Sequence, residues 1–246
     1  MKISDGIYLV GSGHGGFSIS NECDCHVYLV ESTDGNVLID AGVGIETERI
    51  IGNIVNDGID PESIDHLMLT HVHSDHAGGC AELKKKLSLT VYVPRIEAHL
   101  VRSGDEEGLG LILAKADGIY SDDYRFPVFE PDIELDGGET LTVGELKIRV
   151  IHTPGHSPGC MCYCMNVRGK TCLFSGDVVL HDGKLLFLNC PGTTMEGYRS
   201  SMPKLANLGI DSLFPGHHNF SIHDGQKDVD KAIDSLKHLV PPPNFL

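Results

Sequence analysis

The sequence has few basic residues and no long hydrophobic run. Its 246 residues include 19 Lys and Arg against 35 Asp and Glu, so the formal net charge is −16. Because binding to a polyphosphate depends mainly on a basic surface, this deficit argues against a nucleic-acid partner. The one short basic run, Lys84–Lys86, is better explained as a solvent-exposed helix face.

No segment approaches the roughly 18 consecutive apolar residues that a membrane-spanning helix needs. The first residues, MKISDGIYLV, lead directly into a strand pattern, without the apolar stretch of a signal peptide. We therefore expect a soluble, cytoplasmic protein with no membrane partner. The eight cysteines are then expected to be reduced thiols, because disulfides persist mainly in oxidising compartments.

Strand-like and helix-like patterns alternate along the chain in two similar halves, each of which begins with short β-rich runs and continues with alternating strands and helices. Together with the length, this order predicts a single α/β domain over residues 1–246. Residues 103–131 depart from the pattern, because they are acidic, contain several aromatics and have only a weak helical core at Leu109–Ala116. We interpret this segment as an insertion or lid.

Two further motifs have ordinary explanations. GSGHGG at residues 11–16 matches the dinucleotide-binding pattern G-x-G-x-x-G, but the segment after it has a strand pattern, whereas that fingerprint opens a helix. We predict a hairpin loop there. Cys160, Cys162 and Cys164 alternate with period two, so a strand would point all three to one face, and we predict that they pack in the core.

The stretch THVHSDHAGG at residues 70–79 concentrates metal-binding side chains directly after the apolar run HLMLT. His71, His73, Asp75 and His76 fall within one short loop. A catalytic zinc ion usually has three protein ligands, so four donors on one turn indicate two metal ions.

Further donors follow later apolar strands. His156 comes after KIRVI, Asp177 after KTCLF and His217 after DSLF, each in a turn that contains glycine. Because strand ends lie along one edge of a sheet, we expect these side chains to meet the first group at that edge.

The motifs THVHSDHAGG, TPGHSPG, FSGD and PGH, in this order and with Asp40 in LIDAG, resemble those of the metallo-β-lactamase fold hydrolases, and among them the glyoxalase II-like branch. The resemblance extends from about residue 25 to residue 218. It implies a four-layer αββα sandwich, in agreement with the two similar halves. It also implies that one metal is bound by His71, His73 and His156 and a second by Asp75, His76 and His217, with Asp177 as a bridge between the two. Asp40 would orient the ligand loop without binding a metal itself.

The resemblance also implies a mechanism. Two divalent ions would share a water whose pKa falls to about 7, and the hydroxide formed would attack a carbonyl while Asp75 orients it and carries a proton. Zinc is the expected ion, and iron or manganese also suits these ligands. The sequence therefore predicts a dinuclear hydrolase of a small ester, thioester or lactone, with a small molecule as its partner; a homodimer is compatible with it.

Differences from the family pattern narrow the range of substrates that the resemblance allows. β-Lactamases of this fold lack the bridging aspartate. Lactonases are expected to carry a tyrosine shortly after it, whereas this chain reads Asp177-Val178-Val179-Leu180-His181, with His181 as a substitute donor. Only 29 residues follow His217, fewer than we expect for the glutathione-binding domain of glyoxalase II. Two alternatives stay open: a mononuclear iron persulfide dioxygenase and a non-catalytic metal-binding protein. The candidates for substrate binding are Tyr120 and Tyr124 in the insertion, and His181 and His218 near the rim.

Overall fold

The computed structural model describes residues 1–239 and 243–244, and these form two β-sheets that pack face to face. The first sheet has seven strands in sequential order, of which the first four pair antiparallel and the rest pair parallel. Its strands are β1 (Lys2–Ser4), β2 (Ile7–Gly11), β3 (Val27–Val30), β4 (Asn36–Ile39), β5 (Ile64–Met68), β6 (Thr90–Pro94) and β7 (Ile133–Leu135).

The second sheet repeats this plan with five strands in the order β12-β11-β10-β9-β8. Three antiparallel pairings are followed by the parallel pair of β11 and β12. The strands are β8 (Thr140–Val143), β9 (Leu146–His152), β10 (Met161–Val167), β11 (Lys170–Gly176) and β12 (Ser212–Pro215).

Helices cover the outer face of each sheet. Those of the first half are α1 (Thr47–Asn56), α2 (Ser74–Ala77), α3 (Cys80–Leu87), α4 (Ala98–Ser103) and α5 (Leu111–Ala116), and those of the second are α6 (Met195–Ser201) and α7 (Gly225–Ser235). None of the helices in the described residues is long and apolar enough to cross a bilayer.

Period-two alternation of apolar side chains builds the layers. In β2, Ile7 and Leu9 enter the core between the two sheets, while Tyr8 and Val10 enter the core under the first helix layer. A third core lies between the second sheet and its helices, and Cys160, Cys162 and Cys164 all belong to it. The mixed α/β class and the four-layer αββα order are therefore confirmed, and so is the packing of the three cysteines in the core.

The parallel strand pairs determine where the candidate ligands lie. Because β4 pairs parallel with β5, and β11 with β12, the loops that leave their carboxyl ends emerge at the same edge of the sandwich. GSGHGG lies in the connection between the antiparallel neighbours β2 and β3, so the predicted hairpin loop is confirmed. Residues 103–131 fall between α4 and β7 and contain the short helix α5.

Candidate metal centre

The imidazoles of His71, His73 and His156 form a first donor set. Nδ1 of His73 lies 3.2 Å from Nε2 of His71 and 2.9 Å from Nε2 of His156. The three rings meet edge to face, with centroids 4.7 to 4.8 Å apart. The loop after β5 thus supplies two of these ligands, and the loop after β9 supplies the third.

A second donor set, formed by Asp75, His76 and His217, lies beside the first. Oδ2 of Asp75 is 3.0 Å from Nε2 of His217 and 3.6 Å from Nε2 of His76. The carboxylate of Asp177 contacts both sets, since its Oδ2 lies 3.4 Å from Nε2 of His156 and 3.5 Å from Nε2 of His217, and its Oδ1 lies 3.4 Å from Nε2 of His76. A carboxylate that contacts both sets could bind an ion in each of them, so the bridging role of Asp177 stays a prediction.

The spacing of the donors fits divalent metal ions. Ligand atoms at about 2.0–2.1 Å from a tetrahedral ion lie roughly 3.3 Å from one another, close to the distances within the two sets. In addition, Nε2 of His76 and Oδ1 of Asp177 are buried and make no hydrogen bond within the described part of the chain. Since buried polar atoms are nearly always paired, a bound ion would account for both. Imidazole and carboxylate suit zinc, iron and manganese alike.

Burial and nearby charges shift the pKa values of the candidate ligands in different directions. Burial, reinforced by neighbouring imidazoles, lowers the pKa of His71 and lowers that of His73 to about 3, so both rings are neutral at pH 7 and ready to act as ligands. Burial opposes charge on Asp177, but His217 and His76 outweigh it and hold the pKa of that carboxyl well below its ordinary value. Burial likewise opposes charge on His217, yet the adjacent carboxylates raise its pKa.

Asp40, at the end of β4, hydrogen-bonds to Thr70 and to His76. Its Oδ1 accepts the backbone N–H of Thr70 at 2.7 Å, and its Oδ2 accepts the Thr70 hydroxyl and the Nδ1–H of His76, each at 2.9 Å. Because Nδ1 of His76 is engaged, its Nε2 is left to face the metal position. Asp40 is buried and has a φ of 63°, a left-handed conformation that Asp tolerates better than most residues.

Two contacts that the sequence did not single out fix the other ligand loop. Nδ1–H of His156 donates to the carbonyl of Leu186 at 2.7 Å, which leaves Nε2 for the first donor set. The buried Glu97 accepts the N–H of Val72 at 3.2 Å and that of Gly159 at 2.7 Å, and so ties the loop after β5 to the loop after β9. A single glutamate gives no such signal in sequence, because its two partners come from distant segments.

The donor sets lie at one side of a cavity of about 280 Å³, which His73, Asp75, Asp177 and His217 line. Much of the remaining wall is apolar and comes from the predicted insertion and from the segment after β11; its apolar members are Leu109, Ala114, Ile119, Tyr120, Leu186 and Leu188. None of the described residues that line the cavity is Lys or Arg. The cavity can therefore take an apolar group next to the candidate metal ligands.

The four substrate-binding candidates occupy different places. Tyr120 lines the cavity. Tyr124 stacks on Tyr120 with ring centroids 5.2 Å apart and donates its hydroxyl to the carbonyl of Val43, so it supports the wall from behind. His181 is exposed on the surface, where its Nδ1 lies 2.9 Å from Oγ of Ser221, and His218 follows His217; neither is among the described lining residues. Glu22, Cys23 and Cys190 also line the cavity, and no sequence motif singles them out.

Several known proteins are similar to this chain in sequence or in fold. The family model described as "Metallo-beta-lactamase superfamily" matches residues 20–217. The "Acyl-coenzyme A thioesterase MBLAC2" of Bos taurus is 27% identical over 214 residues, covering 79% of this chain and 73% of that protein, and the protein of the same name from Homo sapiens is 27% identical over 212 residues with the same coverage. The solved structure "MIM-2 Metallo-Beta-Lactamase" superposes with a TM-score of 0.73 at 20% identity, covering 95% of this chain and 85% of that one, a likeness of fold alone.

Proposed function

The chain belongs to the metallo-beta-lactamase superfamily, and from that premise we propose that it is a dinuclear metal-dependent hydrolase that cleaves the thioester of an apolar acyl group. The observation that carries the proposal is the position of the two donor sets at the side of a mainly apolar cavity. Two of the relatives named above are thioesterases, which favours a thioester over an oxygen ester or a lactone.

In this proposal His71, His73 and His156 hold one ion, Asp75, His76 and His217 hold the other, and Asp177 binds both. When bound, such a pair of ions supplies a water of lowered pKa and polarises an acyl carbonyl. We also propose that the metal is zinc and that the chain is related to the glyoxalase II-like branch of the family.

The protein's own groups then act on the bound substrate. His76 and His217 hold the pKa of Asp75 down to about 2 although burial opposes it, so this carboxylate is ionised at neutral pH. Because Asp75 lines the cavity, it is placed to accept a hydrogen bond from the attacking water and to orient it. The apolar wall, including Leu109 and Ile119, receives the acyl chain and excludes bulk water from the reacting carbonyl. We propose that residues 103–131 act as the lid of this cavity.

The test combines metal analysis with a thiol-release assay. Protein purified without chelator is expected to contain two divalent ions per chain and to hydrolyse acyl thioesters faster than matched oxygen esters. Asp177→Asn should abolish turnover and reduce the metal content while the protein stays folded, because the residue contacts both donor sets. Asp234→Asn, on the exposed face of α7, is the matched control.

Three results would overturn the proposal. Two bound ions without hydrolysis across the panel would favour the non-catalytic metal-binding protein. One iron per chain with oxygen consumption on a persulfide substrate would favour the dioxygenase. Full activity in Asp177→Asn would contradict the proposed metal centre, because Asp177 is the ligand that both ions share in it.

A further inference from the structure

His26 lies at the end of the glycine-rich hairpin loop, next to the loop that carries His217. Its side chain is buried, with a relative exposure of 1%. Its Nε2 lies 2.7 Å from the carbonyl oxygen of His218, and its own backbone N–H donates to the carbonyl of Gly216, also at 2.7 Å. His26 therefore holds the peptide on each side of the His217 ligand.

The protonation of the ring follows from its two neighbours. A carbonyl oxygen can only accept, so the contact with His218 requires a proton on Nε2 of His26. Nδ1 is buried and has no hydrogen-bond partner in the described residues. A neutral ring with its proton on Nε2 is therefore the form that makes the contact.

The glycines of the hairpin loop allow this close approach. A Cβ at Gly16 would overlap Cε1 of His26, and a Cβ at Gly15 would lie 3.3 Å from Nδ1 of His217. The carbonyl of Gly15 also accepts the backbone N–H of His218 at 2.6 Å, and His218 itself has a φ of 62°. A non-glycine residue in the left-handed region persists only where its surroundings hold it, and here Gly15 and His26 do so.

We infer that His26 is a positioning residue for the second metal site: it fixes the backbone of the His217 loop so that the imidazole of His217 stays beside Asp75 and Asp177. The inference rests on the dinuclear centre proposed above. It also assigns a role to the GSGHGG motif, which brings the backbone of the hairpin loop against the His217 loop. Removal of the Nε2–H donor should weaken one of the two metal sites and leave the other intact.

Two variants of His26 separate the hydrogen bond from the packing. His26→Phe keeps an aromatic ring between Phe17 and Tyr28, whose rings lie 5.5 and 5.8 Å from that of His26, but removes the donor. His26→Gln returns an N–H donor at a similar reach. His66→Phe is the control, because His66 lies on β5 beside Tyr92, outside the His217 loop.

The measurement is the affinity for each of two Co²⁺ ions, titrated into metal-free protein and followed by the visible cobalt absorption. We expect one of the two ions to bind about tenfold or more weakly in His26→Phe than in wild type, the range typical of groups that orient metal ligands. The affinity for the other ion should be unchanged, and His26→Gln should recover most of the loss.

Each other outcome is decisive. Equal affinities in wild type and His26→Phe, a parallel loss at both sites, or a loss that Gln does not recover would refute the positioning role. If wild-type protein binds no metal at all, the proposed dinuclear centre fails instead, so the two failures are distinguishable. Circular dichroism of the metal-free variants shows whether a loss of affinity is a loss of folding.

Discussion

Replacement of Asp40 by Asn tests whether the carboxylate behind the ligand loop controls metal binding. Asp40 accepts three hydrogen bonds, and an Asn amide can accept on only one side. If the NH₂ group faces His76, Nδ1 of that ring must give up its proton, and the proton moves to Nε2, the atom expected to bind metal. If it faces Thr70 instead, a buried N–H loses its acceptor, at a cost of about 1–3 kcal/mol.

We therefore expect Asp40→Asn to weaken the second metal site by about 10–100-fold or to lower the free energy of unfolding of the metal-free protein by about 1–3 kcal/mol. Competition with a chromophoric chelator measures the first quantity, and urea denaturation measures the second. Asp182→Asn is the matched control, because Asp182 also has a left-handed backbone, with a φ of 64°, but is exposed. If Asp40→Asn matched wild type in both measurements, Asp40 would have no part in orienting His76.

Three further predictions concern the cavity, the hairpin loop and acid sensitivity. The value of kcat/KM should rise about fourfold for each methylene added to the acyl chain of a thioester until the cavity is full, because each buried methylene contributes about 0.8 kcal/mol. Ala114→Phe should shorten the preferred acyl chain, and a kcat/KM that does not change with chain length would contradict an acyl cavity. Gly16→Ala should lower the melting temperature through its overlap with His26, whereas Gly52→Ala, in α1 with no atom nearby, should raise stability by up to about 1 kcal/mol. Burial lowers the pKa of His26 to about 3, below its unfolded value, so its protonation favours unfolding and stability is lost as pH falls below about 6.5. Between pH 8 and pH 5 the free energy of unfolding of the metal-free His26→Phe variant should therefore rise by about 2 kcal/mol relative to that of wild type. A difference between the two proteins that does not change with pH would refute this.

The fold and the donor sets could be predicted from the sequence because short local motifs indicate them. Asp177 and His217 each follow an apolar run and a glycine turn, and parallel pairing of strands brings such ends to one edge. The alternation of Cys160, Cys162 and Cys164 likewise predicted a common face, since strand side chains have a fixed period.

The contacts that support the site could not be predicted from the sequence, because they depend on segments far apart in the chain. Glu97 binds N–H groups of Val72 and Gly159, and His26 binds carbonyls near His217, through backbone atoms that no sequence motif marks. Tyr120 and Tyr124 have similar sequence settings, yet one lines the cavity and the other turns its hydroxyl to Val43, a difference that only tertiary packing decides.

The order of the donors along the chain has a consequence for protein synthesis. The first donor set combines a loop of the first sheet with His156 of the second, so all three of its ligands are synthesised before β10. His217 follows β12, which comes last among the strands described and pairs with β11. A single ion on the first donor set could therefore link the two halves of the chain before β12 is made, whereas the second donor set needs His217, which follows the last described strand.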